Sequence, residues 1–150
     1  MKNGPLDRFS EEIVEILPLM FREFAKREDN VLTRGKISFP QMVALDFVSR
    51  KPRVTMTDLA KILHIRTSST TVLVDRLIKQ GMLKRGRDEK DRRLVWVSVT
   101  PKGRKVLGQI MREKRQSVKR IFGILAEEER RQYLDILRKV KTHLTKSHGA

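Results

Sequence analysis

The residues best suited to chemistry in this chain are a run of hydroxyls followed by a run of cations, rather than a nucleophile with its base. Thr67, Ser68, Ser69 and Thr71 stand close together, Val72 follows them, and Arg76 and Lys79 lie one to two helical turns further on. In a helix these side chains gather opposite a face made by Thr70, Leu73, Val74 and Leu77. Hydroxyls exchange hydrogen bonds with base edges and phosphates. A valine can touch a thymine methyl, and an arginine can grip a guanine or, like lysine, a phosphate. Soon afterwards Lys84, Arg85, Arg87, Lys90, Arg92 and Arg93 are interleaved with Asp88, Glu89 and Asp91. A short cationic finger of this kind suits the narrow minor groove of DNA, whose negative potential attracts arginine. Taken singly, a serine there is more often a helix cap and a charged turn more often solvated surface. The weight comes from finding the two side by side. Asp91 is placed to hold Arg93 by an ion pair and so to shape the tip.

Such groups need a scaffold, and the flanking residues supply one. Val54-Thr55-Met56 is short and β-prone. Thr57 is expected to cap a short helix, Asp58 to Leu63, with Leu59 and Ile62 facing inward. His64 to Thr67 forms a break, and a second helix runs from about Ser68 to Gln80, ended by Gly81 in the left-handed conformation. Met82 to Arg85 is extended, Gly86 to Arg92 turns, and Leu94 to Val99 returns as a β-branched and aromatic strand. Two short helices and a hairpin make a helix-turn-helix with a wing, whose second helix enters the major groove by its N-terminal residues. The candidate DNA contacts are therefore Thr57 on the first helix, the six residues from Thr67 to Arg76 named above with Lys79, and Arg87, Lys90, Asp91, Arg92 and Arg93 on the wing.

Longer helices flank this centre. One is expected from Ser10, as its cap, to Arg27, with Ile13, Leu17, Met20 and Phe24 on one face and a kink at Pro18. Asp29 to Lys36 reads as a loop. Ser38 and Gln41 have capping-box spacing around Pro40, and Met42, Leu45, Val48 and Phe47 supply the buried face of the helix they open. Thr100-Pro101 opens a helix to about Gly123, with a stripe through Val106 or Leu107, Ile110, Lys114, Val118, Ile121 and Leu125. Another runs from Glu127 to Lys146. The stripes over Phe9–Arg27 and Val106–Leu144 exceed what one winged unit can cover, so a second copy of the chain is the expected partner. The fold class is mainly α: a winged helix-turn-helix with a two-to-three-stranded β wing (38–100), between dimerisation segments at 1–37 and 101–150.

Composition agrees. The net charge is +16, and residues 54–105 alone carry 13 basic against 5 acidic groups, which points to a polyanion such as double-stranded DNA. The absence of cysteine excludes disulfides, thiolate redox sensing and cysteine metal sites. His64 is isolated from His143 and His148, so no metal centre is expected. No partnered nucleophile, glycine-rich phosphate loop or paired carboxylate suggests an enzyme, and no cofactor is expected. No apolar run approaches the length of a membrane span, nor does the start read as a signal peptide, so a cytoplasmic location is the default. A surface-bound membrane protein and a purely architectural DNA-binding protein are the competing readings.

These residues together carry a resemblance. Thr57-Asp58-Leu59-Ala60, Leu73-Val74-Asp75-Arg76-Leu77, Gly81-Met82-Leu83-Lys84-Arg85, Asp91-Arg92-Arg93, Val97-Ser98-Val99-Thr100-Pro101-Lys102-Gly103 and Leu125-Ala126-Glu127-Glu128 resemble, in order and spacing, the MarR-type transcriptional regulators. The resemblance implies an obligate homodimer with interleaved terminal helices and two winged units on a pseudo-palindromic operator, most often as a repressor. It implies Asp91 and Arg93 as the wing-tip pair, with Arg93 in the minor groove. It also implies a small anionic or aromatic effector that weakens DNA binding. Val72 stands where many members have a basic or polar residue, and Ala126 where a Ser or Thr cap is usual. The effector residues are unknown: Phe21, Phe24, Phe39, Phe47 and Trp96 could line a cavity near the domain junction, with Arg50 or Arg85 for an anion, but apolar residues at helical spacing are far more often core.

Overall fold

Ser38 opens its helix as the spacing predicts. Its hydroxyl accepts the Gln41 N–H while Gln41 Oε1 accepts the Ser38 N–H at 2.8 Å, so each side chain satisfies one orphan donor of the first turn. In the computed structural model, which describes residues 4–25, 37–91, 93 and 95–147, the order is α1 (Pro5–Ala25), α2 (Phe39–Ser49), β1 (Val54–Thr55), α3 (Met56–Leu63), α4 (Thr67–Lys79), β2 (Leu83–Arg87), β3 (Val95–Val99), α5 (Pro101–Phe122) and α6 (Glu127–Ser147). The loop expected at Asp29 to Lys36 lies outside the described residues.

The chain is mainly α with a three-stranded antiparallel sheet in the order β1-β3-β2. Val54 pairs with Val97, and Leu83 to Arg87 pair with Val99 to Val95. Two compact units result. One holds α2 to β3 with residues 101–113; the other holds α1, residues 114–122 and α6.

The core of the first unit is mainly apolar. Leu45, Val48, Val54, Leu59, Val74, Leu77, Leu83 and Val97 are fully buried, each worth about 1.5–3 kcal/mol of transfer free energy. Every strand and each of α2, α3 and α4 contributes, so α4 and the hairpin are fixed by one packing arrangement. Gly81 ends α4 at φ 73, with Met82 N–H bonded to Leu77 O and Gly81 N–H to Ile78 O, the pairing that satisfies the last carbonyls of a helix. Thr100 then caps α5: its hydroxyl accepts the Gly103 N–H at 3.0 Å and donates to Gly81 O at 2.6 Å, tying the end of α4 to the start of α5.

Three sequence expectations are corrected here. Helix α1 starts at Pro5, not at Ser10, because proline suits a first turn and the Asp7 carboxylate accepts the Gly4 N–H; the Ser10 hydroxyl instead donates to Asp7 O. Helix α3 is capped by Thr55, not Thr57. Asp58, three residues after Thr55, completes a capping box and is held below its ordinary pKa chiefly by the Thr55 hydroxyl and N–H. Thr57 thus falls in the first turn. Ile62, expected to face inward with Leu59, is exposed.

In the second unit Phe24, Phe122 and Tyr133 stack in sequence, with ring centroids 6.5 and 5.2 Å apart. Phe9 and Phe21 on α1, Ile124 after α5, and Leu134, Ile136, Leu137 and Val140 on α6 are nevertheless exposed. Helix α6 begins with half a capping box: Glu129 Oε2 accepts the Ala126 N–H at 2.7 Å, but alanine has no oxygen to return. Ala126→Thr should therefore stabilise the fold by about 1 kcal/mol. A thermal melt read against the parent measures it, and an unchanged midpoint would mean this end of α6 is already satisfied.

Candidate nucleic-acid interface

Helix α4 turns its apolar side inward and leaves its first turn open. Thr70, Val74 and Leu77 are buried and Leu73 half-buried, as the spacing predicts, while Thr67, Ser68, Ser69, Val72, Arg76 and Lys79 are exposed and Thr71 is half-buried. Ser68 and Ser69 do not cap the helix. The N-cap is Arg66, which makes no side-chain hydrogen bond there, so the first-turn N–H groups have no side-chain acceptor. The hydroxyls of Thr70 and Thr71 donate back to Arg66 O and Thr67 O. Two serine hydroxyls, a row of backbone donors and the Val72 methyls thus stand on one outward surface.

The hairpin is longer and more ordered at its base than the sequence suggests. Gly86 and Arg87 belong to β2, not to the turn. The reason is steric and crosses the hairpin: Gly86 faces Trp96, and a Cβ at position 86 would lie 2.1 Å from the indole ring. Only glycine lets the ring lie flat on the strand. Arg53 lies over the same ring, its guanidinium 4.7 Å from the centroid and its Nη1 3.8 Å from Asp88.

Asp88 organises the tip. Its Oδ1 accepts the N–H groups of Lys90 at 2.8 Å and Asp91 at 3.3 Å. These bonds, Lys90 first, with a smaller contribution from Arg53, hold its carboxyl below the ordinary value. Asp91 Oδ1 accepts the backbone N–H of Arg93 at 3.0 Å. Its hold on Arg93 is thus through the main chain, where an ion pair was expected, and the tip is shaped before any partner arrives. Arg87, Lys90, Asp91 and Arg93 are all exposed; Arg92 lies outside the described residues. Beneath the tip, Arg85 Nη2 meets Asp75 Oδ1 at 2.7 Å and ties β2 to α4.

Between α4 and the wing lies an open cleft of about 520 Å³, lined by Met56, Thr71, Arg85, Gly86, Arg87 and Val95. Of the residues considered for an effector, Arg85 is in it; Phe39, Phe47, Trp96 and Arg50 do not line it, and Phe21 and Phe24 belong to the other unit. Thr57 is exposed in the first turn of α3 beside Met56. The unit therefore brings together α4, the start of α3 and the wing. The parts that sequence reading missed are Arg53 and Gly86, for which a proline-flanked arginine and a lone glycine in a β-prone stretch were the only signals.

Residues 36–94 match the sequence profile described as the MarR family. Over 134 residues the chain is 23% identical to YwhA of Bacillus subtilis (strain 168), an uncharacterized HTH-type transcriptional regulator, covering 89% of this chain and 96% of that one. A MarR family protein from Bacillus stearothermophilus superposes with a TM-score of 0.77 at 25% identity, over 93% of this chain and 97% of the other. Streptococcus pneumoniae FabT, solved in complex with DNA, gives 0.75 at 25% identity over 94% and 98%.

Proposed function

Since the chain belongs to the MarR family of DNA-binding, winged-helix transcriptional regulators, we propose that it acts as a homodimeric repressor on a pseudo-palindromic operator and is released by a small anionic or aromatic ligand. The observation that carries the reading is the open first turn of α4, hydroxyl-bearing and without a capping side chain, in the same unit as the exposed wing cations. Thr67, Ser68, Ser69, Thr71 and Val72 read base edges in the major groove, with Thr57 beside them. Arg76 and Lys79 hold phosphates, and first-turn N–H groups add donors to a phosphate oxygen. Arg87, Lys90 and Arg92 follow the backbone, Asp91 shapes the tip, and Arg93 enters the minor groove.

A dimer places two such units on two half-sites. Exposed apolar side chains on α1 and α6 support it, because a monomer rarely leaves so much apolar surface in water. The segments 1–37 and 101–150 are its dimerisation regions, and the cytoplasm, where such DNA is found, is its place. The cleft beside α4 supports ligand release: an anion held there by Arg87 would compete with the phosphate backbone for that cation.

Unbiased selection of bound DNA followed by footprinting tests the reading; one protected palindrome is expected, and protection without sequence preference would overturn it. On the selected site, Arg93→Ala should weaken binding by about 1–3 kcal/mol while the dimer stays folded. Unchanged affinity in a folded variant would remove Arg93 from the interface.

A further inference from the structure

We propose that Arg53 is the positioning residue of the wing: it sets the tip through Trp96 and Asp88 and governs DNA affinity without being a contact itself. This rests on the reading of the wing as a DNA-binding element. Arg53 stands just before β1, far from the tip in sequence, yet it meets the hairpin twice. Its guanidinium lies over the Trp96 ring at 4.7 Å, and its Nη1 stands 3.8 Å from Asp88 Oδ2. The ring in turn rests on Gly86, where no Cβ fits. Asp88 uses its other oxygen to accept the N–H groups of Lys90 and Asp91, and Asp91 fixes the Arg93 N–H.

A chain of contacts thus runs from Arg53 to the backbone of Arg93. Asp88 is divided between two tasks: Oδ1 holds the turn, and Oδ2 is left to the guanidinium. The flat cation suits both its neighbours at once, stacking on an aromatic face while pairing with a carboxylate, which an ammonium does less well. A finger that must enter a groove loses affinity if its tip samples many conformations, because ordering it is then charged against binding. Arg53 holds the tip in one arrangement beforehand.

The test uses the full-length chain and four variants, Arg53→Ala, Arg53→Lys, Gly86→Ala and Asp88→Asn, with the Arg53→Ala/Asp88→Asn pair and Arg93→Ala as controls. Trp96 is the chain's one tryptophan, so its emission reports the stack directly. In the free protein, Arg53→Ala should move that emission to longer wavelength and speed hydrogen exchange at the Lys90 and Asp91 amides. On the selected operator it should lower affinity about ten-fold, the scale of one lost contact, and erase the wing's footprint while sparing that of α4. Arg53→Lys should recover part of the loss. Gly86→Ala, which displaces the ring without changing any charge, should reproduce it. Arg53→Ala should cost less in the Asp88→Asn background than in the parent, because part of its effect passes through Asp88.

Losses that multiply in full in the double variant would mean that Arg53 does not act through Asp88 and would overturn the proposal. So would unchanged amide exchange in free Arg53→Ala, whatever the DNA result. If Arg93→Ala binds normally while free Arg53→Ala still loosens the tip, the fault lies with the wing reading, and the role of Arg53 in affinity falls with it.

Discussion

Leu137→Glu should yield a folded chain that sediments as a monomer and no longer holds a two-half-site operator. Leu137 lies on α6 beside Leu134, Ile136 and Val140, all of them exposed. On the proposed reading a second copy covers them. A twofold interface contains every residue twice. Losing a buried leucine costs about 2 kcal/mol per copy, so the dimer loses roughly 4 kcal/mol, close to a thousandfold in dissociation constant. The penalty of setting a carboxylate in an apolar seam adds to that. Analytical ultracentrifugation at micromolar concentration measures the outcome, and Trp96 emission checks that the winged unit is intact. A variant that stays dimeric would place the interface elsewhere, and a parent chain that is already monomeric would end the dimer reading.

Gly103→Ala should destabilise the winged unit by about 2 kcal/mol, against the usual gain of alanine over glycine within a helix. A Cβ there would stand 2.2 Å from the Met82 carbonyl oxygen and 2.9 Å from Val99 Cγ2. A flexible side chain could move aside, but this oxygen is backbone and already accepts the Thr100 N–H. Alanine's helix propensity returns about 1 kcal/mol, too little to reverse the sign. Gly108 on the same helix is the internal control. Its added Cβ would meet nothing nearer than Arg112 Nη1 at 3.7 Å, so Gly108→Ala should stabilise by about 0.5–1 kcal/mol. Urea denaturation of the two variants should shift midpoints in opposite directions; a loss in both would mean propensity and packing have been misjudged along α5.

What the sequence made legible depended on how far apart the interacting residues lie. Ser38 with Gln41, Thr100 with Pro101, and Gly81 after α4 act within a helical turn, so residue type and spacing suffice. Thr55 and Thr57 were harder, because either can cap; Asp58, three residues after Thr55, decides between them and is a local signal that reading the β-prone Val54-Thr55-Met56 as a strand obscured. Gly86 was not legible. Its place in β2 follows from a ring on the opposite strand, and that depends on register. Arg53 is the same case at longer range: before the hairpin folds it is one cation among many. The outward side chains of α4 could be listed from periodicity, whereas the shape of the wing tip could not, since it depends on which Asp88 and Asp91 oxygens meet which N–H groups.

The first turn of α4 has a thermodynamic consequence. Arg66 at the N-cap gives its helix no side-chain acceptor, so the free protein forgoes about 1 kcal/mol that Ser, Thr, Asp or Asn would contribute there. On the proposed reading those donors are completed by a phosphate oxygen, and operator DNA becomes a folding ligand that raises the unfolding midpoint with its concentration. An internal cap at position 66 would reverse this: it would harden the resting protein and fill the place the phosphate must take. At this one turn, resistance to unfolding and grip on DNA are opposing quantities, and the chain carries the residue that favours grip.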